Sequence, residues 1–366
     1  MRVLFAGGGT GGHINPAISV ANYMKDKEQD FEALFVGTER GLEKKLVPAS
    51  GYDIKYIDIC GFDRRNLLKN FSVAAKLLKA NRDCREIIKE FRPDAVVCTG
   101  GYVSGPVAMA AAKLKVPAII HEQNVYPGLT VKGAEKYVDY VAVSFEETLK
   151  HMKNPKKCVV TGNPIRAELL KTPWVAARSK LALNDKPFIL VFGGSLGAEK
   201  LNSNMIEVIR RLAEENTHQI LFGTGERNFD AVKKQMAGIK KSENIHVVPY
   251  INNMSEVMAA ADLVISRAGA ITLAEIAALK KPSILIPSPN VVRNHQEQNA
   301  REFEKAGGAV VITEDILTPE LLYEKIAEVT KDKATLAKMS ENVSKLAKVD
   351  ALEEIYGLVK KIIKNK

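Results

Sequence analysis

The sequence predicts an α/β protein of two doubly wound domains, each a parallel sheet with helices on both faces. Three observations carry that expectation. Short β-rich runs alternate with longer helical patterns along the whole 366-residue chain, as in strand–helix–strand units. Many of the runs, such as "AVVC" at 95–98 and "FILVF" at 188–192, are apolar without alternation, which suits strands buried on both faces. Finally, the pattern restarts. "RVLFAGGGTGGH" opens the first half and "PFILVFGGSLGA" (187–198) opens the second, each a strand, a glycine turn and a helix start.

In order, the first half should form strands at Val3–Ala6, Phe31–Val36, Ile54–Asp58, Ala95–Cys98, Ala118–Ile120, Tyr140–Val143 and Cys158–Thr161. The second half should form them at Phe188–Phe192, Gln219–Phe222, Ile245–Val248, Leu263–Ile265, Ser283–Ile286 and Ala309–Val311. "GNPIRAELLKTP" (162–173) reads as the linker. Leu336, Met339, Val343 and Leu346 recur at helical spacing, so the chain should end in helices. Each domain would then carry a ligand crevice at the carboxyl ends of its strands.

Composition narrows the function. The chain is 46% hydrophobic and 26% charged, with a net charge of +10, so an anionic partner is expected: nucleotide, lipid headgroup or nucleic acid. Cys60, Cys84, Cys98 and Cys158 form no C-x-x-C pair and read as reduced thiols. The first strand begins at Arg2, so no secretory leader is expected. The uncharged run 95–112 is about a membrane span long, but Thr99-Gly100-Gly101 and Ser104-Gly105-Pro106 break it into strand, loop and helix. No D-x-D follows a strand and no H-E-x-x-H occurs, so neither a metal nor another cofactor is expected.

Three glycine loops follow strands. The first matches G-x-G-x-x-G through Gly7, Gly9 and Gly12. A nicotinamide site wants an acid closing the second strand, where Gly37-Thr38 stands and Glu39 comes late; a Walker loop wants a Gly-Lys pair, where His13 follows Gly12. Asn15-Pro16 looks like an N-cap and first helical residue, which puts His13 at a helix mouth. The dipole there disfavours the protonated ring, as a general base requires. Alternatively, His13 is a turn residue bonded to backbone. The second loop is "TGGYVSGP" (99–106). The third, Gly193–Ala198, either holds a diphosphate through Ser195 and helix N–H groups or simply packs strand on helix. Downstream, Thr272 and Glu275 have capping-box spacing, or else Glu275 faces the crevice and binds sugar hydroxyls. "NHQEQNA" (294–300) is rich in amides that suit polyols, or is a solvated loop.

Taken together, "GGTGGHINP" (8–16), "GGYVSGP" (100–106), "HEQN" (121–124), "GNPIR" (162–166), "GGSLGA" (193–198), "SRAGAITLAE" (266–275) and "HQEQNA" (295–300) closely resemble the bacterial peptidoglycan glycosyltransferases of family 28. The resemblance covers essentially the whole chain. It implies a GT-B fold, two Rossmann-like domains around a cleft. It implies inverting, metal-independent transfer of N-acetylglucosamine from UDP-N-acetylglucosamine (UDP-GlcNAc) to the C4 hydroxyl of the muramoyl sugar of lipid I, giving lipid II. On that plan residues 1–163 form an acceptor and membrane-facing domain, 164–340 a donor domain, and 341–366 helices that return to the first domain.

The resemblance also assigns residues. His13 matches the proposed base. The donor should contact Thr10, Gly11, Gly12, Asn124, Arg166, Ser195, Ile251, Ala270, Ile271, Thr272, Leu273, Ala274, Glu275 and Gln296, with the Ile251 backbone reading uracil and Glu275 the ribose. The acceptor should meet Gly9, Gly101, Tyr102, Ser104 and Glu122. Asn294 departs from the aspartate expected before "HQ".

From Arg64 to Arg92 the chain has nine Lys/Arg and three Asp/Glu, with Leu67, Leu68, Phe71, Ala74, Ala75 and Leu78 at helical spacing. Such a helix can pack its apolar stripe on a sheet or lie on anionic lipid. The polyprenyl acceptor implied by the resemblance favours the lipid, hence peripheral attachment at the cytoplasmic face of the plasma membrane. No nucleic-acid module is recognisable, so nucleic acid is not an expected partner.

Overall fold

A computed structural model of the chain describes residues 1–60, 69–194, 197–240 and 242–365. They divide into two units, Met1–Ile165 with Val349–Lys366, and Arg166–Lys348.

In the first unit the strands are β1 (Arg2–Ala6), β2 (Glu32–Gly37), β3 (Asp53–Tyr56), β4 (Ala95–Cys98), β5 (Ala118–Glu122), β6 (Tyr140–Val143) and β7 (Cys158–Val160). They pair in parallel in the order β3-β2-β1-β4-β5-β6-β7. Side chains alternate between the faces of the sheet. Leu4 and Ala6 join Val96, Cys98 and Ile120 in one core, while Val3 and Phe5 join Phe35, Val97 and Ile119 in the other. Both faces are therefore dry, which is why the strands read as continuous apolar runs.

The second unit repeats the plan with β8 (Phe188–Phe192), β9 (Gln219–Gly223), β10 (Ile245–Val248), β11 (Leu263–Ser266), β12 (Ser283–Leu285) and β13 (Ala309–Val311). Their order is β10-β9-β8-β11-β12-β13, again parallel. Leu201, Met205 and Ile209 of the helix Glu199–Glu215 and Leu322 and Ile326 of the helix Pro319–Thr330 cover one face. Every expected strand lies within two residues of its expected ends.

The first unit's helices include α1 (Gly11–Lys27), α2 (Glu43–Ala49), α3 (Lys69–Phe91) and α4 (Ser104–Lys113). Two differences from expectation matter. First, α1 starts at Gly11 rather than after Asn15. Extended Thr10 is the N-cap, and its carbonyl accepts from His13 N (3.1 Å) and Ile14 N (3.2 Å). Two glycines, poor helix formers, open that turn and hide it from the sequence pattern. Pro16 falls inside the helix.

Second, the buried stripe of α3 is Ala80, Cys84 and Ile88, at successive four-residue steps, while Leu78 is 75% exposed. Arg64, Arg65, Leu67 and Leu68 lie outside the described residues, as do the side chains of Lys69, Phe71, Ala74 and Ala75. Among the described residues no helix is long and apolar enough to cross a membrane.

The chain leaves the second unit at Lys348 rather than at 340. Asn342 donates to Gly307 O (3.3 Å), and Val343 is buried against Gly308, so residues 341–344 stay with the second unit. The last helix, Ala351–Lys364, lays Ile355, Val359 and Ile362 beside Val20 and Met24 of α1. Glu28 clasps it through Lys360 Nζ (2.7 Å) and the Tyr356 hydroxyl. Replacing fully buried Ile355 by alanine should lower the stability of the first unit by about 2–5 kcal/mol; a denaturant titration measures it.

Candidate functional site

Most of the described candidate residues follow the carboxyl end of a strand, in a loop or in the first turns of the next helix, where doubly wound sheets bind ligands. In the first unit the loops after β1 and β4 touch. Gly101 has φ +75°, and a Cβ there would lie 2.3 Å from the Gly8 carbonyl oxygen, so only glycine permits the approach. The Tyr102 ring lies over Gly9. Thr99 Oγ1 donates to the His13 carbonyl (2.7 Å), fastening the second loop to the first turn of α1.

His13 is half-buried in that turn. Its Nδ1 is 3.2 Å from the Gly8 carbonyl oxygen and 3.4 Å from Thr10 Oγ1. A carbonyl can only accept, so Nδ1 carries the proton and Nε2 the basic lone pair. The Cδ2–Nε2 edge runs along Gly100, where a Cβ would lie 2.8 Å from Cδ2. The ring is both a turn residue and correctly tautomerised for a base.

Two residues assigned to the acceptor bond to the protein's own loops. Ser104 is buried and its Oγ accepts from Gly100 N (3.0 Å) and faces the Ala6 and Gly100 carbonyls, stitching the second loop to β1. Glu122 is buried too. Its carboxylate accepts from Asn124 N (2.9 Å), Asn124 Nδ2 (3.1 Å) and Gly128 N (2.8 Å), so it shapes its own loop. Burial pushes its carboxyl up, against the pull of those bonds.

The rest of "HEQN" is likewise a staple. His121 Nε2 meets the Gly162 carbonyl (2.9 Å), its Nδ1 meets Gln123 Nε2 (2.9 Å), and Gln123 also donates to Thr99 O (2.9 Å). Burial holds His121 down at about 4, so it stays neutral.

Sequence reasoning missed Glu43. A carboxylate does reach the first glycine loop, six residues beyond β2. Fully buried Glu43 accepts from Gly9 N (2.9 Å), Thr38 N (2.9 Å) and Thr38 Oγ1 (2.8 Å). The crowding of glycine around it in "GTERGLE" (37–43) was the available signal.

In the second unit the helix Ala270–Ala278 begins behind Gly269, without a side-chain cap. Thr272 and Glu275 therefore form no capping box. Glu275, 6% exposed, accepts from Arg166 Nη2 (3.1 Å) and Nε (3.3 Å). Burial pushes its carboxyl up and the guanidinium opposes that. Ala270, Ile271 and Thr272 form the helix's first turn, whose amides precede the first intrahelical bond, Leu273 N to Gly269 O at 2.9 Å. The Leu273 side chain is wholly core, and Ala274 is half-buried.

Ile251 tucks its side chain against Gly223 at the end of β9. Gln296 Oε1 accepts from Ser288 N (2.9 Å). Asn294 caps the helix His295–Lys305 at φ +52°, a left-handed conformation that, after glycine, asparagine and aspartate tolerate best. Gly197 packs on Thr224, and the helix Glu199–Glu215 follows; Ser195 lies outside the described residues.

The raised carboxyl of Glu275 has a measurable consequence. Its folded-state pKa lies above the unfolded one, so its contribution is fully present at low pH and lost as pH rises through the folded value. Glu275→Gln should raise the melting temperature of the ligand-free protein by about 2 °C at pH 8, with the gain shrinking at pH 5. Thermal scans at the two pH values check it.

Comparisons with known proteins agree with this architecture. Residues 3–143 match the glycosyltransferase family 28 N-terminal domain and residues 188–355 its C-terminal domain. A UDP-N-acetylglucosamine–N-acetylmuramyl-(pentapeptide) pyrophosphoryl-undecaprenol N-acetylglucosamine transferase of Acetivibrio thermocellus is 47% identical, over 100% of this chain and 99% of its own. The crystal structure of Acinetobacter baumannii MurG superposes with a TM-score of 0.80 at 28% identity, covering 98% of this chain and 99% of that one. A putative UDP-N-acetylglucosamine 2-epimerase from Listeria monocytogenes reaches a TM-score of 0.73 at 16% identity, over 100% and 97% of the two chains, which is a likeness of fold alone.

Proposed function

The chain belongs to glycosyltransferase family 28, and from that premise we propose that it transfers N-acetylglucosamine from UDP-GlcNAc to undecaprenyl-diphospho-muramoylpentapeptide. The full-length 47% identity to a transferase of that name carries the choice of substrates. The ring of His13, with Nδ1 held by the Gly8 carbonyl, carries the chemistry.

In this reading Nε2 of His13 takes the proton of the muramoyl C4 hydroxyl. The oxygen attacks the anomeric carbon from the face opposite UDP. The new C–O bond forms as the bond to the diphosphate breaks, and its electron pair leaves on UDP. The configuration inverts. Gly9, Gly101 and Tyr102 of the paired glycine loops receive the acceptor diphosphate, with Ser104 and Glu122 setting the shape of the loops. Glu275 takes the ribose hydroxyls and the Ile251 backbone takes uracil. Arg166, the first turn at Ala270–Thr272 and the amides around Ser195 meet the growing charge on UDP. Thr10, Gly11, Gly12, Asn124, Ala274 and Gln296 complete the donor contacts, and the reaction needs no metal.

Purified protein should release UDP from UDP-GlcNAc only when a lipid I analogue is present, and EDTA should leave the rate unchanged. His13→Ala should cost about 10²–10⁴-fold in kcat. Release without acceptor, or full activity in the variant, contradicts the reading.

In this reading the acceptor's polyprenyl tail sits in the plasma membrane, and the work is done at its cytoplasmic face. Exposed Leu78 on α3, in the basic stretch 64–92, suits peripheral contact with anionic lipid rather than with nucleic acid. Sedimentation with anionic vesicles should exceed that with neutral ones and fall when Arg64, Arg65 and Lys69 are neutralised together. Equal sedimentation in all cases contradicts it.

A further inference from the structure

The bond that fixes His13 ends on the Gly8 carbonyl (3.2 Å), and the bond from Glu43 ends on the Gly9 amide (2.9 Å). These are the two polar ends of a single peptide unit. A trans peptide is planar and points its C=O and N–H in opposite directions. Carboxylate, peptide and imidazole therefore stand in series. We propose that Glu43 is a positioning residue for His13 that orients and electronically supports the ring through the Gly8–Gly9 peptide. The inference rests on His13 being the base.

The surroundings of Glu43 favour the connection. A Cβ on Gly41 would lie 2.0 Å from Oε2, one on Gly37 2.6 Å from Cγ and one on Gly8 2.9 Å from Oε1. Glycine at these places makes room for the carboxylate. Its Oε1 is occupied by Thr38, which leaves Oε2 aimed at Gly9. Gly101 closes on the Gly8 oxygen from the other loop, so the peptide cannot rotate away.

A carboxylate accepting from an amide polarises that amide and makes its carbonyl a better acceptor. The Gly8 oxygen then holds Nδ1–H more firmly and favours positive charge on the ring as Nε2 gains its proton. This is the service a carboxylate gives a catalytic histidine directly, here delivered across one peptide. Among the described residues, the other titratable side chains at these loops are Tyr102, over Gly9, His121, bonded through Gln123, and exposed Glu39 and Arg40, the latter turned to Asp58 (3.5 Å).

The test uses the full chain labelled with ¹⁵N-glycine and ¹³C-histidine, with His13 assigned by loss of its signal in His13→Ala. In the unmodified protein the Gly9 amide should shift with the midpoint of the His13 ring. In Glu43→Gln that midpoint, and the acidic limb of kcat, should both fall by about one pH unit, with the KM for UDP-GlcNAc within about twofold of the original. An unmoved midpoint in Glu43→Gln, or a Gly9 amide indifferent to His13, overturns the proposal. The amide measurement decides it even if the variant does not fold. Full turnover in His13→Ala would instead overturn the base reading, while the ring midpoint would still report whether Glu43 acts on it.

Discussion

The Gly8–Gly9 peptide is the fixed point of the N-terminal unit. The strand order β3-β2-β1-β4-β5 sets β1 between β2 and β4, so the loops leaving three adjacent strands converge on it. The loop after β2 brings Glu43 to its amide, the loop after β4 brings Gly101 to its carbonyl, and α1 brings His13 to the same oxygen. Each contact needs backbone without a side chain. That requirement answers why so much glycine surrounds one histidine: the glycines let three loops meet on a single peptide, and the meeting orients the ring.

The C-terminal unit solves a different problem on the same scaffold. There β8 and β11 lead through loops into the helices Glu199–Glu215 and Ala270–Ala278, and the distinctive group is a buried acid. Glu275 is kept in a site that disfavours its charge, with Arg166, half exposed, as its only charged hydrogen-bond partner among the described residues. An isolated fold would do better with a neutral residue. On the proposed reading, ribose hydroxyls donating to that acid would offset the cost of its charge.

Much of this was legible in the sequence. Parallel strands covered on both faces leave continuous apolar runs, so "AVVC" and "FILVF" declared themselves. The glycine loops stood out because they directly follow strands, and His13 and Glu275 as ionisable residues in the segments just beyond them. What stayed hidden was long-range or geometric. Glycine at 11 and 12 masked the true start of α1. The spacing of Thr272 and Glu275 fits a capping box, but Gly269 took the cap and Arg166, 109 residues away, took the acid. The resemblance assigns Glu122 and Asn124 of "HEQN" to substrates, while in the structure His121, Glu122 and Gln123 bond mostly to the protein's own backbone. Glu43 opens the short helix α2 with no periodicity to mark it, and only the packing of β1 against β2 joins it to the glycines.

The most direct test of the central claim is the structure of the product. Protein incubated with UDP-GlcNAc and a lipid I analogue should yield the analogue heavier by one N-acetylglucosamine, joined β to the muramoyl C4 oxygen by mass spectrometry and NMR. Recovery of an unmodified analogue alongside UDP and free or epimerised sugar would contradict it.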